Sequence, residues 1–309
     1  MTDFYNEDLK VLNFTHIDFD GVTAGIVIKN YFKNVITEQI NYGQEPQIID
    51  KLKKHTAEFE AVIFTDFFTD FCPSNIREIQ NFCKTYFPIE IPVLVLDHHE
   101  SAKEYDSPST GIYINQKYSG CMLAYKYFGI KKDLTHLKEL VTIANDYDLF
   151  TLADKRSMFY NALSWEMGFR WFFARFLHGN ISLYPEEKEW IQRYVQEVKK
   201  QYDELPISDL AHKGCFYECD RYLAEMSVRL SKAGYDYQII KHGNSLSLRS
   251  NTDKIDLVEV CRIVGKGGGH KRAAGIPIYH GEDIQKLVEK ICYAVEHTIN
   301  YGGDDGLPF

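Results

Sequence analysis

The sequence predicts a two-lobed α/β protein, an N-terminal domain built on a parallel sheet followed by a smaller C-terminal α/β domain. Three observations carry this expectation. Over the first 150 residues, short β-branched or aromatic runs end in polar clusters and give way to amphipathic stretches, the alternation expected of a parallel sheet with crossover helices. After about residue 211 the alternation restarts on a shorter scale. The length of 309 residues, 45% of them hydrophobic, suffices for two cores rather than one. The boundaries implied are 1–184 for the first domain, 185–210 for a connecting helix and linker, 211–300 for the second domain and 301–309 for an acidic tail.

Residues 10–14 read as a strand that runs into His16-Ile17-Asp18-Phe19-Asp20-Gly21, with a helix over 22–32. Residues 59–65 read as a second strand ending at Asp66, followed by a helix over 75–86 capped by Ser74. A third strand, Val93-Leu94-Val95-Leu96, delivers Asp97-His98-His99. The apolar residues Ile143-Ala144 then lead into Asn145-Asp146-Tyr147-Asp148, read as a fourth cluster at a strand end. Parallel strands place their carboxyl ends on one edge, so the four clusters are expected together. Residues 156–180 are rich in aromatics with Arg156, Arg170 and Arg175 interleaved, and are read as a buried helical subdomain in preference to a base-stacking surface. Residues 185–203 suit a connecting helix. The second domain is expected to hold strands near 215–219, 235–240 and 245–249, helices over 221–233 and 256–264, and a helix or turn at Ala273-Ala274-Gly275.

A net charge of −9 means that the surface as a whole does not attract a long polyanion, so any nucleic-acid contact must be local. Seven scattered cysteines, an odd number, read as reduced thiols, and no segment reaches transmembrane length. A cytoplasmic protein with no membrane partner is the expectation.

Asp18 and Asp20 stand two residues apart, so an extended backbone points both carboxylates the same way, with His16 on that face. Such neighbours repel unless a cation holds them ionised. With Asp66, Asp97, His98, His99 and either Asp146 or Asp148, the donors exceed what a single octahedral ion needs and suit two ions sharing an aspartate. Mixed oxygen and imidazole donors favour Mn2+, with Mg2+ or Co2+ as substitutes. Asp146 is favoured over Asp148 because the apolar run continues directly into it. Downstream, Gly267-Gly268-Gly269 allows a phosphate to approach the backbone, with His270, Lys271 and Arg272 as neighbouring donors.

The order His16-x-Asp18-x-Asp20-Gly21, Asp66, Asp97-His98-His99, Asp146 resembles the four motifs of the DHH phosphoesterase family. Gly267-Gly268-Gly269-His270-Lys271-Arg272-Ala273-Ala274-Gly275, with Ser247-Leu248-Arg249-Ser250 before it, is similar to the signature of the DHH-associated C-terminal domain. The resemblance covers roughly residues 10–280, and its first motif is nearer to RecJ-like, NrnA-like and NrnB-like oligonucleotide exonucleases than to pyrophosphatases. It implies that 1–184 is the catalytic domain and 211–300 a substrate-binding domain. It further implies that Asp18 binds one metal with His16, Asp20 the other, and Asp66 both, with His98 and Asp146 completing the shell. Asp97 joins the catalytic set, and His99 meets the scissile phosphate. The glycine loop (Gly267, Gly268, Gly269), His270 and Arg249 hold a terminal nucleotide. The function implied is metal-dependent exonucleolytic release of mononucleotides from short oligonucleotides or single-stranded nucleic acid. The alternative is a phosphodiesterase for cyclic or linear dinucleotides, or a phosphatase for 3′,5′-bisphosphate nucleotides. Asp304-Asp305-Gly306-Leu307-Pro308-Phe309 resembles the acidic tip of single-stranded-DNA-binding proteins, which implies a protein partner that reads such tips.

Overall fold

The computed structural model describes residues 4–41, 44, 47–55, 58–67 and 91–301. The helix expected over 75–86, its cap Ser74 and the tail after Tyr301 lie outside these residues. The chain divides into two compact units, Met1–Glu187 and Lys188–Phe309.

The first unit is built on five parallel strands in the order β2-β1-β3-β4-β5: β1 (Lys10–His16), β2 (Asn34–Ile40), β3 (Ala61–Thr65), β4 (Val93–Asp97) and β5 (Ile112–Ile114). β1 and β3 are buried nearly throughout, without alternation, because the sheet is covered on both faces. The register pairs Thr15 with Thr65, Thr65 with Leu96, and Asp97 with Ile114, so the strands end level. The chain leaves β1 for β2 on one side and takes up β3 on the other. The gap between β1 and β3 is therefore the topological switch point, where crossovers diverge and leave a crevice at the carboxyl edge.

Helix α1 (Phe19–Tyr31) packs against the sheet and three further helices, α3 (Gly120–Gly129), α4 (Lys138–Asp148) and α5 (Arg156–Phe176). Buried on almost every face, it shows no amphipathic stripe. On the other side, α2 (Gln47–Lys54) covers the sheet with Ile48 and Leu52, which join a core of Leu12, Phe14, Val62, Phe64 and Val95.

Two readings of this unit are corrected. The segment carrying Asp146 and Asp148 is the end of helix α4, not of a strand, because Leu140, Val141, Ile143 and Ala144 fall at helical spacing and are all buried. The aromatic segment is also more than a buried subdomain. Its helix α5 breaks at Gly168, where φ is 71° and ψ 159°, and the two halves fold back so that Tyr160 meets Phe176 at 5.6 Å between ring centroids. Phe172 and Phe176 are fully buried, but Trp165 and Trp171 are 57% and 74% exposed.

Helix α6 (Pro185–Asp203) leads into the second unit. Its six-stranded mixed sheet has the order β10-β11-β9-β8-β7-β6: β6 (Ser208–Leu210), β7 (Gly214–Glu218), β8 (Tyr237–His242), β9 (Ser245–Ser250), β10 (Gly268–His270) and β11 (Ala273–Pro277). Only β7 and β8 pair in parallel. The helices are α7 (Leu223–Lys232), α8 (Leu257–Val264) and α9 (Ile284–Tyr301). Asp256 caps α8 by accepting the amides of Val258 at 2.9 Å and Glu259 at 3.3 Å. Ala273-Ala274-Gly275 is a strand, not a helix or turn, since it bridges β9 and β10 in the sheet.

Edge strand β2 went unrecognised in the sequence because it is only half buried and carries Glu38. Lys51 donates to Glu38 at 2.5 Å, and His55 Nε2 lies 2.8 Å from it, tying β2 to α2. Burial raises a carboxyl, but hydrogen bonds from Lys51 and His55 outweigh it and bring Glu38 down to about 2. A depressed carboxylate contributes stability above its unfolded value and loses it as pH falls through its folded value. Melting temperatures measured from pH 5 to pH 2 are expected to fall more steeply for the wild-type protein than for Glu38→Gln. Parallel curves would show that the tie contributes nothing.

Candidate metal centre

β1 ends at His16 and the chain turns into α1 through Asp18, whose Oδ1 accepts the Gly21 amide at 2.9 Å as the helix N-cap. Gly21 is required at this turn, since a Cβ there would lie 2.2 Å from the His16 carbonyl oxygen. His16 Nδ1 lies 2.9 Å from Asp18 Oδ2, and His16 Nε2 3.3 Å from Asn41 Oδ1. One helical residue further, Asp20 is buried and its Oδ1 accepts the Cys121 amide at 3.1 Å, at the start of α3.

Asp66 follows β3 with φ of 53°, a left-handed conformation that strains a non-glycine residue. The strain is held by its amide bond to the Leu96 carbonyl at 3.0 Å and by close packing on Gly120, where a Cβ would fall 2.4 Å from Asp66 Cβ. His98 Nε2 lies 3.2 Å from Asp66 Oδ1 and 3.3 Å from Asp148 Oδ2, linking the ends of β3, β4 and α4. Asp97 is fully buried, with Oδ1 at 2.8 Å from His99 Nδ1. The carboxylate is an acceptor only, so Nδ1 is the donor, and the pair fixes the orientation of the His99 ring.

Asp146 and Asp148 have different surroundings. Both Asp146 oxygens are engaged by backbone amides, from Ala153 at 2.9 Å and Asp154 at 3.1 Å, and its carbonyl accepts from Thr151 and Leu152. Asp146 thus organises the loop after α4, while Asp148 lies beside His98 in the cluster. Of the two carboxylates that the sequence offers, the structure brings Asp148 to His98, whereas the favoured Asp146 holds the loop. Helical geometry, in which residues two apart point about 200° from one another, would have separated the two had the segment been read as a helix.

Donor atoms within 4.8 Å of one another form three overlapping groups in this unit: His16, Asp18 and Asp66; Asp20, His98 and Asp148; and Asp66, Asp97, His98 and His99. Asp20 Oδ2 and Asp66 Oδ2 are buried without a hydrogen-bond partner among the described residues. Orphaned acceptors of this kind cost free energy unless something positive meets them. Burial, then the charges of Asp20 and Asp18, raise the Asp66 carboxyl far above the ordinary range, and the same influences raise Asp148. Burial opposes the charge on Asp18 and His16, but their mutual attraction outweighs it, lowering Asp18 and raising His16. Asp97 is likewise lowered, with burial outweighed by His99. Oxygen-rich donors, three imidazoles and orphaned buried oxygens fit divalent cations.

In the second unit, the register sets His270 opposite Ala273 and Ala273 opposite Arg249, so His270 and Arg249 share one row and one face of the sheet. Gly268 and Gly269 open the edge strand β10, with Gly267 just before it. Gly267 and Gly269 hold φ of 87° and 143°, and a Cβ at either would strike the β11 backbone, at 2.2 Å from the Gly275 carbonyl oxygen and 2.5 Å from that of Ala273. Gly120, Cys121, Asn145 and Asp148 were not singled out together by sequence. The pair Ser119-Gly120 before a helical run was the available signal, and Asn145 Oδ1 accepts the Ser119 amide at 2.9 Å.

If like-charge repulsion is the dominant stress here, Asp66→Asn melts higher than the wild-type protein in chelator, by roughly 2–4 °C per kcal/mol relieved. A raised carboxyl loses stability as pH rises, so this advantage grows from acid toward neutral pH. Added Mn2+ should raise the wild-type melting temperature and leave Asp66→Asn nearly unmoved. Equal shifts in both would remove Asp66 from the centre.

No family model matches the sequence. It is 24% identical over 160 residues to a 3′,5′-cyclic-nucleotide phosphodiesterase of Helicobacter pylori, a match spanning 46% of this chain and 44% of that protein. Among solved structures, RecJ of Thermus thermophilus in complex with Mn2+ superposes with a TM-score of 0.62 at 14% identity, over 94% of this chain and 53% of RecJ. An exonuclease RecJ bound to manganese gives 0.53 at 14% identity over 95% and 91% of the two chains. An exopolyphosphatase-related protein of Bacteroides fragilis gives 0.52 at 14% identity over 95% and 93%. The strand order, the four clusters at its carboxyl edge and these superpositions together establish that the chain has the fold of the DHH phosphoesterases.

Proposed function

We propose that this protein is a metal-dependent phosphodiesterase that releases mononucleotides from an end of short oligonucleotides or single-stranded nucleic acid. The observation that carries the reading is the cluster around Asp66, a set of buried carboxylates with orphaned oxygens at the switch point of a fold shared with manganese-bound RecJ. A binding protein without cations would gain nothing from such a cluster, because the unfavourable burial has no compensation.

Two divalent cations, Mn2+ in the first instance with Mg2+ or Co2+ as substitutes, would be held by two sets of residues. His16, Asp18 and Asp66 form one, and Asp20, His98 and Asp148 the other, with Asp66 touching both through His98. When bound, such ions neutralise phosphate charge and make water a competent nucleophile at neutral pH. The chain's own part is positional. Asp97 locks the His99 ring, which presents its remaining nitrogen to a phosphate oxygen, and the Cys121 amide holds Asp20 in a single orientation. His270 and Arg249, in one row of the second sheet, would meet the phosphate of a terminal nucleotide, with Gly268 beside His270 open to space.

A second reading, cleavage of cyclic or linear dinucleotides by the same centre, agrees in reaction class alone with the Helicobacter pylori relative, which is named a 3′,5′-cyclic-nucleotide phosphodiesterase. End-labelled RNA and DNA oligomers of graded length, assayed with Mn2+ beside a dinucleotide and a cyclic dinucleotide, separate the two. Stepwise shortening of the longer oligomers is expected, with Asp66→Ala and Asp148→Ala each lowering the rate by at least about 100-fold. Cleavage of the dinucleotides alone would favour the second reading. Full activity in Asp66→Ala would overturn both.

A further inference from the structure

The folded-back helix α5 carries a group of side chains that the metal centre does not use. Its second half lies along α1: Phe172 meets the Phe19 ring at 5.6 Å between centroids, and the Leu177 carbonyl accepts from Asn30 Nδ2 at 2.7 Å. α1 starts at the carboxyl edge, where Asp18 caps it, and runs away from that edge toward Asn30. The order of these contacts places the reversal at Gly168 beyond the start of α1, on the edge that bears the carboxylate cluster. Phe19 reinforces this placement, because its ring also lies 6.4 Å from that of Tyr147, the neighbour of Asp148.

The tip of the hairpin is chemically unlike an ordinary solvated turn. Trp165 and Trp171 flank it, 57% and 74% exposed, and neither indole makes a ring contact among the described residues. Arg170, between them, is exposed and forms no ion pair among the described residues. Gly168 is open, with nothing within 4 Å of the point where a Cβ would stand, so no neighbouring group fills the reversal. Indoles left in water forgo the burial that normally places them inside, and their grouping beside an arginine needs a partner with flat apolar faces and negative charge.

We propose that this tip is a base-stacking platform for the strand whose phosphate reaches the metal centre, with the indole faces taking unpaired bases and Arg170 a backbone phosphate. The proposal rests on the phosphodiesterase reading for its substrate class. Charge supports it: the chain carries a net −9, and the centre itself is ringed by carboxylates, so a polyanion gains little from the surface at large. Stacking supplies affinity that does not depend on net charge and tolerates any sequence, since every base has a π face. Arg170 adds the local charge that a strand needs, and a guanidinium can itself stack on a base.

The test is binding in chelator, read by the anisotropy of a fluorescein-labelled probe and, for the wild-type protein, also by tryptophan fluorescence, with a short oligothymidylate and an abasic oligomer of the same length as probes. The oligothymidylate should quench wild-type emission and bind more tightly than the abasic oligomer. Trp165→Ala and Trp171→Ala should each weaken its binding about tenfold, while Trp171→Phe retains most of the affinity. The abasic oligomer should bind all variants alike. Hydrolysis of bis(p-nitrophenyl) phosphate with Mn2+ should be unchanged in the alanine variants, which separates the platform from the chemistry. Equal binding of oligothymidylate by wild type and the double alanine variant would overturn the proposal. So would a wild-type dimer that the double variant converts to monomer without change in oligomer affinity, because the tip would then be a contact between copies. A wild-type protein that shows the stacking signature but cleaves no oligomer with Mn2+ would sink the phosphodiesterase reading and leave the platform standing.

Discussion

Asp66 is placed where a carboxylate is least comfortable, buried, backbone-strained and surrounded by other carboxylates, and most of the first unit is arranged to keep it there. Its left-handed φ is held by the amide bond to Leu96 on the neighbouring strand and by the absence of a side chain on Gly120. Its imidazole contact, His98, is shared with Asp148. Each of these supports comes from a different element, β4, α3 and α4. The cluster is therefore only as ordered as the packing of three helices and two strands around α1, which explains why α1 is buried on almost every face.

The charge balance divides the cluster into parts with opposite tendencies. His16–Asp18 and His99–Asp97 are ion pairs whose attraction outweighs burial, so those carboxylates stay ionised. Asp66 and Asp148 share His98 between them and are driven toward protonation. The paired groups fix geometry whatever else is bound. The other two remain to respond to a cation, whose arrival would displace protons from them.

Much of this arrangement was legible in the sequence because it follows from strand periodicity. His16, Asp18, Asp66, Asp97, His98 and His99 were placed at strand ends by apolar runs that stop abruptly, and parallel topology does the rest; Asp20, read as sharing an extended backbone with Asp18, lies instead in the first turn of α1. What sequence could not resolve depended on helical geometry or on pairing at a distance. Asp146 was favoured over Asp148 because Ile143-Ala144 looks the same in a short strand as in a helix. The glycine run was read as room for a phosphate because the need of Gly267 and Gly269 for glycine comes from the backbone of β11, which a local reading does not contain. The exposed indoles of α5 were hidden in an aromatic segment whose remaining members are core, and only the reversal at Gly168 separates the two populations.

That Asp148 closes a helix while Asp18 opens one has a consequence for how cations would enter. The aligned peptides of α1 turn their positive end toward His16 and Asp18, and those of α4 turn their negative end toward Asp148. Asp20, in the first turn of α1, shares that positive end although it groups with His98 and Asp148, so the contrast is between Asp18 and Asp148 themselves. A carboxylate at the negative end of a helix is held against its own charge, so Asp148, driven toward protonation, gains more from an arriving positive group than Asp18, which its helix and His16 already hold ionised.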